Sequence, residues 1–366
     1  MSEAPRAPDT RLRARDRTTR DGPCYAALDL GTNNCRLLIA TPSAGGFRVV
    51  EAYSRIVRLG EGLSQTGRLS DAAMDRALAA LAVSAEKVRR RRVVKLRAVA
   101  TQACRSAANG EAFVARVAQE TGLNLQVITP HEEARLSVAG CLGLLDREAQ
   151  AALVVDVGGG STEMSWVDLS GPTQAADKTP PIKAWLSIPI GVVTLAERFP
   201  EGDAPTDRWF RAMVEAVKAE IGAFRRAESL RSVFEADGAH LVGTSGAITS
   251  LAGLHLGLER YDRSRVDGIW MTRSDCDRAA DMLLALTPAE RARQPCIGPD
   301  RADLVLAGAA ILQAVQELWP CSRVRVADRG LREGVLISLM SDKGGRRRRR
   351  RGPRRRRTGE NTKAPA

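Results

Sequence analysis

Two stretches of the sequence, Tyr25-Ala-Ala-Leu-Asp-Leu-Gly-Thr-Asn-Asn34 and Leu153-Val-Val-Asp-Val-Gly-Gly-Gly-Ser-Thr-Glu163, share one pattern. Each begins with an apolar run, reaches an aspartate, and continues into a glycine-rich turn with hydroxyl and amide side chains. A second apolar run follows each turn, so both stretches predict a strand, a turn and a returning strand. The two aspartates, Asp29 and Asp156, are separated by about the length of a domain, which favours one copy in each of two related domains.

The glycine-rich turns are typical of phosphate binding, because glycine has no Cβ and its backbone N–H groups can approach an anion closely. A flexible hairpin turn is the alternative. However, the run Gly158-Gly-Gly160 lies between two apolar strands, where each glycine costs roughly 0.5–1 kcal/mol relative to alanine. Close approach of a phosphate gives a reason for that cost. The candidate phosphate-binding residues are Gly31, Thr32, Asn33, Asn34, Gly158, Gly159, Gly160, Ser161 and Thr162.

The aspartates that end the two strands are candidate metal ligands. A single aspartate before a turn is more often a turn-capping carboxylate. Two of them, Asp29 and Asp156, each at the end of an apolar strand, favour a hard cation that binds together with the phosphate. The sequence therefore predicts Mg²⁺ as the cofactor.

A third apolar strand runs into a polar turn at Thr244-Ser245-Gly246. This turn predicts a cradle for a second phosphate or for the nucleoside part of a ligand. The alternative is that it only caps a helix that begins at Ala247.

Composition limits the class of protein. The chain has 366 residues, enough for about two domains, and its 44% hydrophobic and 27% charged residues are ordinary for a soluble globular protein. No apolar stretch approaches the ~20 residues of a membrane span, so no membrane association is expected.

The charged residues 1–21 lack the apolar core of a secretion signal, and the seven cysteines are scattered without a C-x-x-C pair. We therefore expect a cytoplasmic protein without a disulfide framework or a structural zinc site.

Strands and helices alternate along the chain, which predicts an α/β protein with ligands at the carboxyl ends of its strands. Helical periodicity extends over residues 209–228, 301–318 and 331–340. We expect the last of these helices to pack back on the first domain. The predicted organisation is a disordered leader at 1–22, a first domain at 23–145, a second at 146–342 and a disordered tail at 343–366.

The tail at 343–366 is rich in arginine, with twelve basic residues and one acid. Because the whole chain carries a net charge of +13, the rest of the protein is nearly neutral. A solvated, disordered extension is the plainest interpretation. Salt-sensitive binding of RNA or DNA and capture of a long polyanionic substrate are the functional alternatives. No aromatic residues interleave the arginines, so stacking of bases is not indicated.

Seven segments, in order from about Tyr25 to Met340, make the chain resemble the exopolyphosphatase and guanosine pentaphosphate phosphatase (Ppx/GppA) family of the actin-like ATPase superfamily. Two of the segments are the glycine-rich turns described above. The others are Thr101-Gln-Ala-Cys-Arg-Ser-Ala107, His131-Glu-Glu-Ala-Arg-Leu136, Ile188-Pro-Ile-Gly-Val-Val-Thr-Leu195, Arg301-Ala-Asp303 with Gly308, and Asp328-Arg-Gly-Leu-Arg-Glu-Gly-Val335.

The resemblance implies two actin-like (ribonuclease H-like) domains with an interdomain cleft. It implies an enzyme that releases the terminal phosphate from inorganic polyphosphate or from guanosine pentaphosphate with the help of Mg²⁺. It also implies a homodimer. In this context the arginine-rich tail becomes a candidate site for polyphosphate as well as for RNA.

Glu133 is the candidate catalytic residue. With Glu132 it lies near the start of a helix after Pro130, where acids also occur simply because they complement the helix dipole. The resemblance favours Glu133, because the family's catalytic glutamate precedes an Ala-Arg pair, here Ala134-Arg135. Hydrolysis of a phosphoanhydride needs a base that orients a water molecule in line with the terminal phosphorus. Glu132 is the less favoured choice, since adjacent helical residues point about 100° apart.

Two further residues gain roles from the resemblance. Glu163, at the start of the strand after the second turn, is a candidate second acid for Mg²⁺, directly or through water; a surface strand residue is the alternative. Arg105 is a candidate phosphate ligand, since a guanidinium group suits that anion. A buried structural ion pair is the alternative for Arg105.

Two other functional classes remain open at this stage. A kinase of the same superfamily would use similar turns to bind ATP and would transfer phosphate to a small acceptor. An RNA-associated protein without enzymatic activity would use the arginine-rich tail.

Overall fold

The computed structural model describes residues 22–171, 181–202 and 205–341. In this part of the chain, helices surround two mixed β-sheets. The arginine-rich tail and all of the predicted leader except Gly22 lie outside the described residues. None of the described helices is both long and apolar enough to cross a membrane.

The first sheet has the strand order β3-β2-β1-β4-β5, and the second has the order β10-β11-β9-β6-β7-β8. Strands of the first sheet are β1 (Tyr25–Leu30), β2 (Asn34–Ser43), β3 (Gly46–Ile56), β4 (Lys95–Ala100) and β5 (Leu125–Val127). Strands of the second are β6 (Ala151–Val157), β7 (Thr162–Asp168), β8 (Ile182–Ile188), β9 (Ala239–Thr244), β10 (Trp270–Thr272) and β11 (Arg323–Ala327).

Helices connect and cover the strands. Up to the second sheet they are α1 (Leu63–Thr66), α2 (Asp71–Arg90), α3 (Gln102–Ser106), α4 (Gly110–Thr121) and α5 (Pro130–Cys141). The following ones are α6 (Val192–Arg198), α7 (Asp207–Gly222), α8 (Arg231–Glu235), α9 (Gly246–His255), α10 (Arg263–Val266), α11 (Arg273–Leu284), α12 (Pro288–Arg293), α13 (Val305–Leu318) and α14 (Leu331–Ser341).

The two glycine-rich stretches form equivalent hairpins. In the first sheet, β1 pairs antiparallel with β2 and parallel with β4. In the second sheet, β6 pairs in the same way with β7 and β9. Asp29 lies opposite Arg36, and Asp156 lies opposite Glu163, in matching registers. The sequence repeat therefore corresponds to a structural repeat, with each turn at the carboxyl end of a central strand.

Helix α14 follows the second sheet in the chain but packs on the first. Its residues Leu331, Val335 and Leu336 share an apolar cluster with Tyr25 of β1 and Val99 of β4. The chain thus crosses between the two sheets twice. The domain boundaries proposed from the sequence, at residues 145 and 342, remain predictions.

Two predicted helices differ from the structure in their bounds. The helix expected over 209–228 ends at Gly222, and the helix expected from residue 301 begins at Val305. The short elements β10, α10 and α12, of three to six residues, had no sequence prediction because such short segments show little periodicity.

Helices α5 and α14 approach each other closely at two glycines. A Cβ on Gly334 would overlap the carbonyl group of Leu136, and a Cβ on Gly140 would overlap that of Gly330. Both neighbours are backbone atoms, which cannot rotate away. Because α5 carries Glu133, this contact fixes the position of the candidate catalytic helix against the first sheet.

We predict that Gly334→Ala lowers the free energy of unfolding by about 1–3 kcal/mol, because an added methyl group forces the two helices apart. Gly143→Ala is the matched control, since its Cβ would meet only the Arg329 side chain at 3.7 Å. Chemical denaturation of both variants measures the difference. Equal unfolding midpoints would contradict the close contact described here.

Candidate active site

A cleft lies between the two sheets, at the carboxyl ends of β1, β6 and β9. Both glycine-rich turns line it, and Glu133 of α5 contributes to its wall. The remaining lining residues come mainly from the turn after β9 and the segment after β11, and they include Thr101, Arg36, Thr244, Ser245, Gly246, Arg301 and residues 327–333. The repeated hairpins therefore face one common space.

The two turns have the same backbone geometry. In the first, the Gly31 N–H donates to the Asn34 carbonyl at 2.9 Å, and in the second the Gly158 N–H donates to the Ser161 carbonyl at 2.9 Å. The turns also touch each other. A Cβ on Gly159 would lie 2.9 Å from the Thr32 Cβ and 3.1 Å from the Asn33 backbone nitrogen. Glycine at 159 is thus required for the approach of the two turns.

Helix α6 supports the second turn from behind. The N–H groups of Val192 and Val193 donate to the carbonyls of Gly158 and Gly159, at 3.0 and 2.8 Å. These bonds satisfy two carbonyl groups of the turn, so that the N–H groups not bonded within the turn are left for a ligand in the cleft.

Four acids lie in or next to the cleft, and burial raises the pKa of each. The pKa of Asp29 rises to about 6, against the opposing effect of Arg36. Burial also raises the pKa of Asp156, although a hydrogen bond from the Ser137 hydroxyl of α5 opposes this. The pKa values of Glu133 and Glu163 are both raised, by burial first and then by nearby acids.

Glu133 is 8% exposed and forms part of the cleft wall. Thr129 caps its helix, accepting a hydrogen bond from the Glu132 N–H at 3.2 Å. The Arg105 guanidinium lies 3.4 Å from the Glu133 carboxylate and also donates to the Ile128 carbonyl at 2.7 Å. Glu132 points elsewhere and pairs with Arg97 at 2.5 Å. The two adjacent glutamates therefore have different environments.

Three of the predicted site residues do not line the cleft. The Thr162 hydroxyl donates to the Ile190 carbonyl at 2.7 Å, and the residue is fully buried. Arg105 pairs with Glu133 and does not line the cleft, and its binding of phosphate remains a prediction. Glu163 is 2% exposed and accepts a hydrogen bond from Ser187 at 2.8 Å. Their side chains support the cleft from outside it.

The turn after β9 caps a helix and also lines the cleft. Ser245 caps α9, accepting a hydrogen bond from the Ile248 N–H at 2.9 Å, and Thr244 donates to the Arg329 carbonyl at 2.9 Å. Ser245 and Gly246 nevertheless line the cleft. A ligand there would meet the start of a helix, which favours anions.

Residues 38–343 of the chain match the Ppx/GppA phosphatase family. This chain belongs to that family. The matched residues include Glu133, the second turn and the segment after β11, and begin just after the first turn.

Individual Ppx/GppA relatives align over most of the chain. Exopolyphosphatase 2 of Mycobacterium tuberculosis is 32% identical over 327 residues, which are 86% of this chain and 98% of that protein. The guanosine-5'-triphosphate,3'-diphosphate pyrophosphatase of Photobacterium profundum is 30% identical over 322 residues, which are 87% of this chain and 60% of that protein.

The crystal structure of the Aquifex aeolicus Ppx/GppA family member superimposes with a TM-score of 0.70 at 30% identity, covering 88% of this chain and 98% of that one. These matches confirm the family resemblance, the actin-like ATPase type of fold and the class of phosphohydrolase.

Sequence reasoning assigned no role to several arginines of this Ppx/GppA cleft. Arg36, Arg301 and Arg332 all line it, and among the described residues neither Arg36 nor Arg301 has a carboxylate within ion-pair distance. Arg332 lies 4.0 Å from Glu333. The sequence contained evidence for these arginines, since Arg301 and Arg332 lie in segments that resemble the family and Arg36 follows the first turn. Unpaired guanidinium groups in a cleft offer charge to an anionic ligand.

Two buried oxygen atoms without hydrogen-bond partners make the cleft suitable for a magnesium ion. The Oδ1 atoms of Asp29 and Asn33 are buried and lack a hydrogen-bond partner in the described structure. Within the described ranges, no three His, Cys, Asp or Glu side chains are grouped to hold a metal by themselves. Mg²⁺ commonly binds one or two carboxylates and completes its shell with phosphate oxygens and water. Asp29 and Asp156 suit that mode, with Glu163 further back.

We predict that Gly159→Ala reduces turnover of a phosphoanhydride by about a hundredfold, because it displaces one turn relative to the other. Gly171→Ala is the control, since a Cβ there would meet no atom within 4 Å. Steady-state phosphate release, with a thermal melt to verify folding, gives the comparison. Turnover equal to that of the control would show that contact between the turns is dispensable.

Proposed function

We propose that this protein is a Mg²⁺-dependent phosphohydrolase that releases the terminal phosphate from inorganic polyphosphate or from guanosine pentaphosphate. The observation that carries the proposal is the buried Glu133, which shares one cleft with two matching anion-binding turns. The names of the relatives, exopolyphosphatase and guanosine-5'-triphosphate,3'-diphosphate pyrophosphatase, support these two substrates. Both substrates end in the same chemical group, a phosphoanhydride.

The turns and the arginines hold the terminal phosphate. Backbone N–H groups of the two turns, other than those of Gly31 and Gly158, would donate to it, and the guanidinium groups of Arg36 and Arg301 would balance its charge. These donors do not have to reorganise when charge develops during the reaction, which is the main source of electrostatic catalysis. A Cβ added to Gly246 would lie 3.8 Å from each of the two guanidinium groups, so the third turn and both arginines converge.

Glu133 orients the attacking water and accepts its proton. Arg105 holds the carboxylate from behind, at 3.4 Å, and lowers its pKa against the effect of burial. A base must be ionised to accept a proton, so this cation keeps Glu133 closer to its active form. A raised pKa also makes a carboxylate a stronger base at neutral pH.

Mg²⁺ would be held by Asp29 and Asp156, with Asn33 and Glu163 nearby. When bound, it would withdraw charge from the phosphate oxygens and would lower the pKa values of the surrounding acids. Ser137 of α5 orients the Asp156 carboxylate, so the helix that carries Glu133 also positions a metal ligand.

The direct experiment measures phosphate release from polyphosphate and from guanosine pentaphosphate, with Mg²⁺ and with EDTA. We expect release from at least one substrate, only with the metal. Phosphorylation of a small acceptor by ATP without such release would instead indicate the kinase. The predicted homodimer and the binding of RNA by the tail remain predictions.

We predict that Glu133→Gln lowers the turnover number by about 10²–10⁴-fold while substrate affinity changes little, because the amide cannot accept the proton. Glu132→Gln is the matched control, one residue away and paired with Arg97 instead. Phosphate release and calorimetric binding separate the two effects. Near-normal turnover in Glu133→Gln would refute the assignment.

The pH dependence of turnover gives a second test. The base is active when ionised, and Arg105 lowers the pKa of Glu133 against the effect of burial. At a fixed Mg²⁺ concentration, Arg105→Gln removes this cation and should move the acid limb of the activity profile to higher pH. Arg105→Lys keeps the charge and should leave the limb in place. Identical pH profiles for the two variants would contradict the role of Arg105.

A further inference from the structure

The segment 57–64, here called the bridging loop, runs from the end of β3 into the first residues of α1 and contacts both halves of the cleft. On one side it binds the first phosphate turn through its backbone. The N–H groups of Val57 and Arg58 donate to the Asn33 carbonyl at 2.9 and 3.1 Å, and the Gly60 N–H donates to the Thr32 carbonyl at 2.9 Å. The loop is therefore tied to the turn that would hold phosphate.

On its other side, the bridging loop binds the segment that precedes α13, which lines the cleft. The Arg58 guanidinium donates to both carboxylate oxygens of Asp303, at 2.9 and 3.2 Å. Asp303 lies two residues after Arg301 and next to Leu304, which both line the cleft. A bidentate pair of this kind fixes orientation as well as distance.

A second polar contact lies at the other end of the loop. The Glu197 carboxylate accepts hydrogen bonds from the Gly62 N–H at 2.8 Å and from the Ser64 hydroxyl at 2.5 Å. Glu197 belongs to α6, the helix whose Val192 and Val193 bind the second turn. The bridging loop thus contacts the second half of the cleft at two points, and the contact with Glu197 reaches the helix that supports the second turn.

The backbone conformation of Arg58 is consistent with contacts on both sides of the loop. It has a φ of +46°, in the left-handed region that side-chain-bearing residues rarely occupy. Such a conformation persists when surrounding contacts determine it. Here the contacts are the backbone bond to Asn33 and the side-chain pair with Asp303.

We propose that Arg58 and Glu197 are positioning residues, which hold the two phosphate turns at the separation that binding of a phosphoanhydride requires. Their contacts are polar and partly exposed, with the side chains of Arg58 and Asp303 35% and 50% accessible. Water can therefore compete for them. The contact between α5 and α14 is by comparison apolar and buried, with Leu136, Leu331 and Val335 in one cluster.

This inference rests on the proposed function for the identity of the ligand, so its test uses binding as well as turnover. The probe is inorganic pyrophosphate with Mg²⁺, titrated calorimetrically into the full chain. Hydrogen exchange over residues 29–34 and 57–64 reports local opening. The variants are Arg58→Ala, Asp303→Ala, their combination, and the exchanged pair Arg58→Asp with Asp303→Arg.

We expect each single alanine variant to weaken pyrophosphate binding about fivefold, the effect of an exposed but well-oriented ion pair. The double variant should lose no more than the singles, because both remove one interaction. The exchanged pair should recover most of the affinity. Exchange should become faster in both segments while the thermal midpoint is retained. Glu197→Ala should weaken binding independently of Arg58.

The pair Arg116–Asp75 provides the matched control. It has the same N–O distance of 2.9 Å and side chains that are 39% and 64% exposed, but both residues lie on helices of the first sheet. Arg116→Ala should leave binding and exchange unchanged.

Three outcomes would overturn the proposal: unaltered binding in Arg58→Ala, an equal loss in Arg116→Ala, or no recovery in the exchanged pair. If the wild-type protein hydrolyses neither substrate, the proposed function fails, and the binding and exchange measurements still decide the role of the loop.

Discussion

Contact between two backbone turns is the constraint on which this structure depends. The turn after β1 and the turn after β6 approach until a Cβ at residue 159 would lie 2.9 Å from the Thr32 side chain. The elements around the two turns hold them in this contact. Helix α6 satisfies the carbonyls of the second turn, the bridging loop at 57–64 binds the carbonyls of the first, and close packing of α5 and α14 places Glu133 beside both.

The close approach of the two turns also affects the ionisation of the acids in the cleft. Asp29, Asp156, Glu133 and Glu163 are brought into a poorly solvated space, where ionised carboxylates are unfavourable and their pKa values rise. Two arginines that line the same cleft lack carboxylate partners among the described residues. A ligand that carries its own cation and several anionic oxygens would satisfy both groups at once, which is the physical reason to expect a magnesium phosphoanhydride.

The sequence predicted the repeated hairpins because glycines and strand-ending aspartates are local signals, whereas the role of Glu133 follows from the family resemblance and remains a prediction. The helix that begins at Val305 was predicted to begin at residue 301, because Ala302 and Leu304 continue its apolar spacing. Thr162 and Arg105 were assigned to the ligand, but a motif gives residue types and does not show where side chains point. The contacts of Arg58 and Glu197 join residues more than a hundred positions apart, and no local pattern encodes them.

The central claim is that two turns from two sheets form one anion site. Calorimetric titration of Glu133→Gln with tripolyphosphate in the presence of Mg²⁺ tests it directly, because this variant should bind without turnover. The account predicts one site per chain, and it predicts that adding Gly159→Ala weakens that site as a whole. Two independent sites per chain, or a single site that is indifferent to residue 159, would contradict it.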